Sequence, residues 1–161
     1  MIEQEIVKDI LFKQDTKKKQ SRWKDFERRI AKAFNGKRAL RGQDFSSSDS
    51  DIEHDKLVIE CKYRKTLNKS EIDKQLSRYM LIPSNKGKLP IAVYQYPGSR
   101  VVWVRIETKY YYFLLRHLYH NKGVNKLGEL IKYEQNIAPN PYIEIELNSF
   151  LEVWQNIENR W

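Results

Sequence analysis

Apolar positions recur with two periods along this chain, and the alternation between them predicts most of its elements. At helical spacing, Ile2, Ile6 and Ile10, with Val7 and Leu11 beside them, predict a short amphipathic helix over residues 2–12. A second stripe, Trp23, Phe26, Ile30, Ala33 and Phe34, predicts a helix over residues 23–34, with Lys24, Arg28 and Lys32 on another face. Asn35-Gly36 is the expected stop. Glu27 falls at the edge of this apolar stripe, where a buried carboxylate needs a partner.

Residues 42–55 are polar and turn-rich, and lead into Leu57-Val58-Ile59-Glu60-Cys61-Lys62-Tyr63, whose β-branched and aromatic content predicts a strand. His54-Asp55-Lys56 is the expected hairpin turn, pairing the segment of Asp51 with that strand. Residues 70–82 read as a helix with a Ser70/Asp73 capping box and a buried face of Ile72, Leu76, Tyr79 and Met80. Strands are expected over 90–96 and 101–106, joined by a turn at Pro97-Gly98-Ser99-Arg100. A helix over 108–119, a strand over 142–147 and a closing helix over 150–157 complete the series. Such an order predicts an α/β or α+β architecture around a central mixed sheet.

Length and composition narrow the picture. The 161 residues suit one domain, and a 40% hydrophobic fraction spread along the chain supports a packed core. The excess of 30 Lys and Arg over 21 Asp and Glu gives a net charge of +9, which favours a polyanionic partner such as nucleic acid. Cys61 is the one cysteine, so an internal disulfide and a cysteine-based zinc site are excluded. The charged start Met1-Ile2-Glu3-Gln4-Glu5 is unlike a signal peptide, and the most apolar run, 110–115, is far short of a membrane span. The expectation is an intracellular protein with no membrane association.

Within the strand over 57–63, period-two alternation sends Leu57, Ile59, Cys61 and Tyr63 to one face, and Val58, Glu60, Lys62 and Arg64 to the other. The turn adds Asp51, so two carboxylates and an ammonium converge. Hard divalent cations such as Mg²⁺ or Mn²⁺ prefer such oxygens, and Asp51, Glu60 and the backbone carbonyl of Cys61 form a candidate ligand set. Lys62 is then placed to orient a water or meet charge developing on a phosphate, and Glu27 to complete the shell directly or through water. The competing reading is an ordinary salt bridge between Glu60 and Lys62 on a solvated face of the strand.

The stretch Ser50-Asp51-Ile52 through Val58-Ile59-Glu60-Cys61-Lys62 resembles the core motif of the PD-(D/E)XK nuclease superfamily. Within it, the layout is similar to Holliday junction resolvases and small recombination or phage nucleases. The resemblance covers roughly residues 20–106 of one domain spanning 1–161, with 107–161 as a C-terminal elaboration. It implies a restriction-endonuclease-like αβββαβ core, a mixed sheet flanked by helices. It also implies Asp51 and Glu60 as metal ligands, Lys62 as the catalytic lysine, Glu27 as the acid of the first helix and Gln75 as a polar residue of the following helix. Ser50 departs from the family's usual proline. The expected activity is a metal-dependent endonuclease on DNA, chiefly branched DNA such as a four-way junction, cut by a homodimer in a virus- or mobile-element-like setting. A restriction- or repair-type endonuclease and a non-catalytic nucleic-acid-binding module remain alternatives.

Arg38, Arg41, Lys65 and Lys69 flank the site in sequence and are candidate phosphate contacts. Cys61 reads as inert packing, His117 and His120 as surface or packing histidines, His54 as a turn residue, and Tyr110–Phe113 as core or interface aromatics.

Overall fold

A computed structural model describes residues 22–39, 50–120 and 141–160. The helix expected over 2–12, the run Lys17-Lys19, Arg41 and most of the polar loop lie outside these residues. Helix α1 occupies residues 22–33. It ends in a Schellman arrangement. Asn35, at φ 56°, donates its N–H to Lys32, and Gly36 donates to Ala31 at 2.8 Å. Gly36 is fixed by space as well. A Cβ there would stand 2.8 Å from both the Glu53 carbonyl oxygen and Ile52 Cγ2, so only glycine lets the next strand pass this close.

Strands β1 (Lys37–Arg38), β2 (Ile52–Glu53) and β3 (Leu57–Tyr63) form an antiparallel meander. Helix α2 (Lys69–Tyr79) crosses back, and β4 (Leu89–Gln95) returns parallel to β3, residue 57 opposite 89 through 63 opposite 95. Strand β5 (Trp103–Glu107), helix α3 (Thr108–His120), strand β6 (Tyr142–Glu146) and helix α4 (Leu147–Ile157) follow. The six strands lie in sequence order in one mixed sheet. The architecture is therefore α/β.

Strand β3 is buried on both faces, as a strand sandwiched between helices must be. On one face Leu57, Ile59 and Cys61 join Ile91, Val93, Val104 and Ile106 under α1, α3 and α4, which contribute Phe26, Phe34, Leu114, Phe150 and Trp154. On the other, Val58 and Ala92 pack under Ile72, Leu76 and Tyr79 of α2. The described residues after 106 thus extend the same sheet and the same core.

Two expectations about α2 need correction. Its N-cap is Asn68, whose Oδ1 accepts the Glu71 N–H at 3.3 Å, not Ser70 with Asp73. The helix starts two residues earlier than a Ser70 cap requires, and Asp73 is drawn into a bidentate pair with Arg105 of β5 at 2.6 and 2.9 Å. Met80 is 38% exposed, because the helix closes at Tyr79 and a 3-10 turn at Pro83–Asn85 carries the chain away. The last helix also begins earlier than expected, at Leu147, directly from β6. Among the described residues no helix is long and apolar enough to cross a membrane.

Candidate active site

The β2–β3 hairpin sets the site. In its turn, His54 Nδ1 accepts the backbone N–H groups of Lys56 (3.0 Å) and Leu57 (3.1 Å), so the imidazole replaces ladder bonds that the turn cannot make. This confirms His54 as a turn residue. Burial pushes it below its usual value of 6.5, against the opposing charge of Glu158. Asp51 enters just before β2, its N–H bonded to the Ile59 carbonyl at 3.1 Å and its carbonyl bonded by the Ala39 N–H. Beyond that point β2 has no residue opposite Cys61. The Asp51 side chain takes its place, Oδ2 accepting the Cys61 N–H at 2.8 Å. In an antiparallel pair a residue's N–H and C=O face the same neighbour, so the Cys61 carbonyl faces the Asp51 side too.

Glu60 projects from the opposite face of β3, beneath α2. Lys62 Nζ stands 2.8 Å from its Oε1, and Tyr79 Oη donates to its Oε2. Gln75 Nε2 in turn donates to Tyr79 Oη at 2.9 Å, and Asn85 Nδ2 ties down the Tyr79 carbonyl. Asp51 and Glu60 are each only 2% exposed. Burial first, and then the neighbouring Asp51 charge, hold the Glu60 carboxyl above its usual 4.5, while Lys62 and Tyr79 pull the other way. Tyr79 is pushed up for the reciprocal reasons, burial and the Glu60 charge. The Cys61 thiol is raised well above 9.0 by burial and by Asp51, Glu27 and Glu60, so it is an inert core thiol.

No protein-family model, curated protein or solved structure matches the chain. Its chemistry is therefore argued from its own residues.

Asp51, Glu60, Lys62 and Gln75 are brought together, Gln75 through Tyr79. Glu27 is buried, and its partner is Arg38 of β1, 2.5 Å away, which meets the need for a counter-charge read from the sequence. Arg38 is thus held by an acid, Lys69 is paired with Glu144 at 2.7 Å, and Lys65 is exposed. The Glu60–Lys62 salt bridge exists, though on a covered face rather than a solvated one. Tyr79 is the site residue that sequence reasoning missed. Its signal was the i, i+4 spacing from Gln75, but an apolar helix face explains the same position.

Among the described residues no three His, Cys, Asp and Glu side chains are grouped to hold a metal ion. Two hard carboxylates plus a carbonyl nevertheless suit Mg²⁺ or Mn²⁺, since Mg²⁺ commonly uses one or two protein carboxylates and keeps waters or substrate phosphate oxygens for the rest. A polar cleft lined by Asn35, His54, Lys56, Lys88 and Glu158 lies at the turn end of β3 and contains none of these residues. Phe113 and His117 form an edge-on pair at 4.8 Å on the outside of α3, whereas Tyr111 is core, stacked on Phe150.

Proposed function

We propose that the protein is a metal-dependent DNA endonuclease whose site is Asp51, Glu60 and Lys62. One observation carries this reading: two carboxylates, Asp51 and Glu60, are buried within electrostatic reach of each other, with one lysine on Glu60. A salt bridge built for stability alone needs only Glu60 and Lys62. Asp51 satisfies the Cys61 N–H, but a neutral Asn or Ser would do so without burying a second negative charge beside the first. A cation between the two acids gives the arrangement a purpose. The element order helix, three strands, helix, strand over residues 22–95 also agrees with the αβββαβ order that the PD-(D/E)XK resemblance implies.

In this reading Asp51 and Glu60 hold Mg²⁺ or Mn²⁺ with the Cys61 carbonyl, and Glu27 stands behind them on α1. The bound ion supplies a Lewis acid for the scissile phosphate and lowers the pKa of a water. Lys62 gives its ammonium to the charge that develops on the phosphate oxygens. Tyr79 and Gln75 fix the Glu60 carboxylate so that only one orientation is presented. The expected substrate is branched DNA. A homodimer is part of the proposal, because one such site cuts one strand and paired cuts need two sites about a two-fold axis.

The test is cleavage of labelled four-way junction, linear duplex and single strand, in Mg²⁺ and in EDTA, beside Glu60→Ala. Paired symmetric nicks confined to the junction, absent in the variant, are expected. Equal cutting of junction and duplex would replace the resolvase reading with a restriction- or repair-type one. Tight binding with no metal-dependent cutting would make the protein a binding module.

A further inference from the structure

The outer face of α1 is the most strongly charged helix surface among the described residues. Arg22, Lys24, Arg28, Arg29 and Lys32 are exposed there against a single exposed acid, Asp25. The exposed side of α4 carries no cation, and α2 sets Glu71 and the Lys69–Glu144 pair against its basic residues. Among the described helices, exposed cations are therefore concentrated on α1.

The pattern within α1 is more specific than the count. Lys24, Arg28 and Lys32 recur every fourth residue, which puts them on one ridge about 6 Å apart. Like charges at that spacing oppose each other and weaken the helix locally, so the stripe is a cost that folding alone does not explain. Lys24 and Lys32 have no ion pair among the described residues, and Arg28 has only the exposed i−3 pair with Asp25 at 2.8 Å, which a phosphate readily displaces. Glu27 is about 60° from Lys24 around the helix and about 100° and 140° from Arg28 and Lys32, so it is the Lys24 end of the stripe that adjoins Glu27 and its partner Arg38.

We infer that Lys24, Arg28 and Lys32 form a track for a nucleic-acid backbone, its Lys24 end nearest Glu27, separate from the cations that flank the site in sequence. The inference rests on the nuclease reading for its occupant. Three side chains that neutralise successive phosphates each release a counterion, so binding through the track is steep in salt and indifferent to base sequence.

The experiment compares Lys24→Gln/Arg28→Gln/Lys32→Gln with Lys74→Gln/Arg78→Gln/Lys86→Gln, which removes equal charge from the exposed residues of α2 and the loop after it. Fluorescence anisotropy with labelled duplex and four-way junction is run in EDTA over a salt series, so that no cutting is needed for the readout. The α1 triple is expected to flatten the slope of log K against log salt by about 2–3, and the other triple by less than about 1. Lys24→Arg/Lys32→Arg should keep the wild-type slope, and thermal melts establish that each variant is folded. Equal loss in both triples would overturn the track in favour of diffuse charge, as would an unchanged slope in the α1 triple. Anionic phosphatidylserine vesicles form the second arm, and an α1-dependent preference for them over DNA would also overturn it. If the slope falls as expected but Mg²⁺-dependent cleavage is absent, the track stands and the nuclease reading fails.

Discussion

Tyr79→Phe removes one oxygen from a site that no water reaches easily, since Tyr79 is 3% exposed. Two bonds go with it: the donation to Glu60 Oε2, and the acceptor that Gln75 Nε2 uses at 2.9 Å. A hydrogen bond to a charged group contributes about 1.5–3 kcal/mol and a neutral one about 1 kcal/mol. Gln75 is half-buried and regains part of its bond from water. The expected cost at pH 7 in EDTA is therefore about 2–3 kcal/mol, or a fall of roughly 5–10 °C in Tm for a chain of this size. The pH dependence separates this account from simple loss of packing. The folded Glu60 carboxyl lies above its usual 4.5, so its contribution is most favourable below that value and is lost as pH rises through the folded pKa. Tyr79 lowers that penalty by bonding the ionised form. The gap between wild type and variant should then be widest at neutral pH and narrow to about 1 kcal/mol near pH 4, where the bond is neutral. Urea unfolding followed by circular dichroism at both pH values measures it. An equal gap at pH 4 and pH 7 would refute the charge-assisted bond, and no gap at all would refute the contact.

Three further outcomes follow from the same geometry. Gly36→Ala forces a Cβ within 2.8 Å of two β2 atoms, and overpacking of this kind costs about 1–3 kcal/mol, measurable as a lowered urea midpoint; an unchanged midpoint would mean β2 yields freely. His54 is held below 6.5 in the fold, so the unfolded chain binds the proton more tightly and stability falls as pH drops below 6.5. His54→Leu should flatten that dependence while costing about 1–3 kcal/mol for its orphaned backbone N–H groups, and a variant with the wild-type slope would assign the dependence to other groups. Lys62→Gln is expected to keep the fold but lower Mg²⁺-dependent cleavage by about 10²–10³, the usual loss when one preorganised donor to developing charge is removed; cleavage near the wild-type rate would leave Lys62 as a structural partner of Glu60.

Much of this architecture was legible because its strands and helices carry clean periods. The β3 strand and its turn were readable residue by residue, since five of its seven positions are β-branched, apolar or aromatic and follow a three-residue polar break. The caps were less so. Ser70 with Asp73 satisfies the capping-box pattern as well as Asn68 satisfies a simple N-cap, and the choice was made by Arg105, 32 residues beyond Asp73, which takes Asp73 out of the helix start. Met80 keeps helical phase with Ile72 and Leu76, but Pro83 shortens the helix and leaves it at the surface. Tyr79 illustrates a more general limit. Sequence periodicity assigns a residue to a buried face, and it does not say that the face covers a carboxylate. That fact comes from α2 crossing the even-numbered positions of β3, a tertiary relation with no local trace.

The position of Glu60 decides how the salt bridge should be weighed. On a solvated strand face, Glu60–Lys62 would contribute at most about 1 kcal/mol and imply nothing. Here both oxygens of Glu60 are engaged, one by Lys62 and one by Tyr79, and the carboxylate is 2% exposed beside a second buried acid. Folding gains little from such a cluster, because desolvating two acids offsets what a single ammonium returns, and apolar residues of similar volume generally serve stability as well or better. The surrounding design points the same way. Val58 and Ala92, on the same face of the sheet, are the kind of residue that would complete this core, yet the same strand gives its next two positions on that face to Glu60 and Lys62, with a bonded tyrosine over Glu60. A buried cluster that costs this much at the middle of the central strand is what the proposed site would require. The function proposed above, phosphodiester hydrolysis assisted by a divalent cation, is one that would use two fixed carboxylates beside a lysine on a protein carrying a +9 charge.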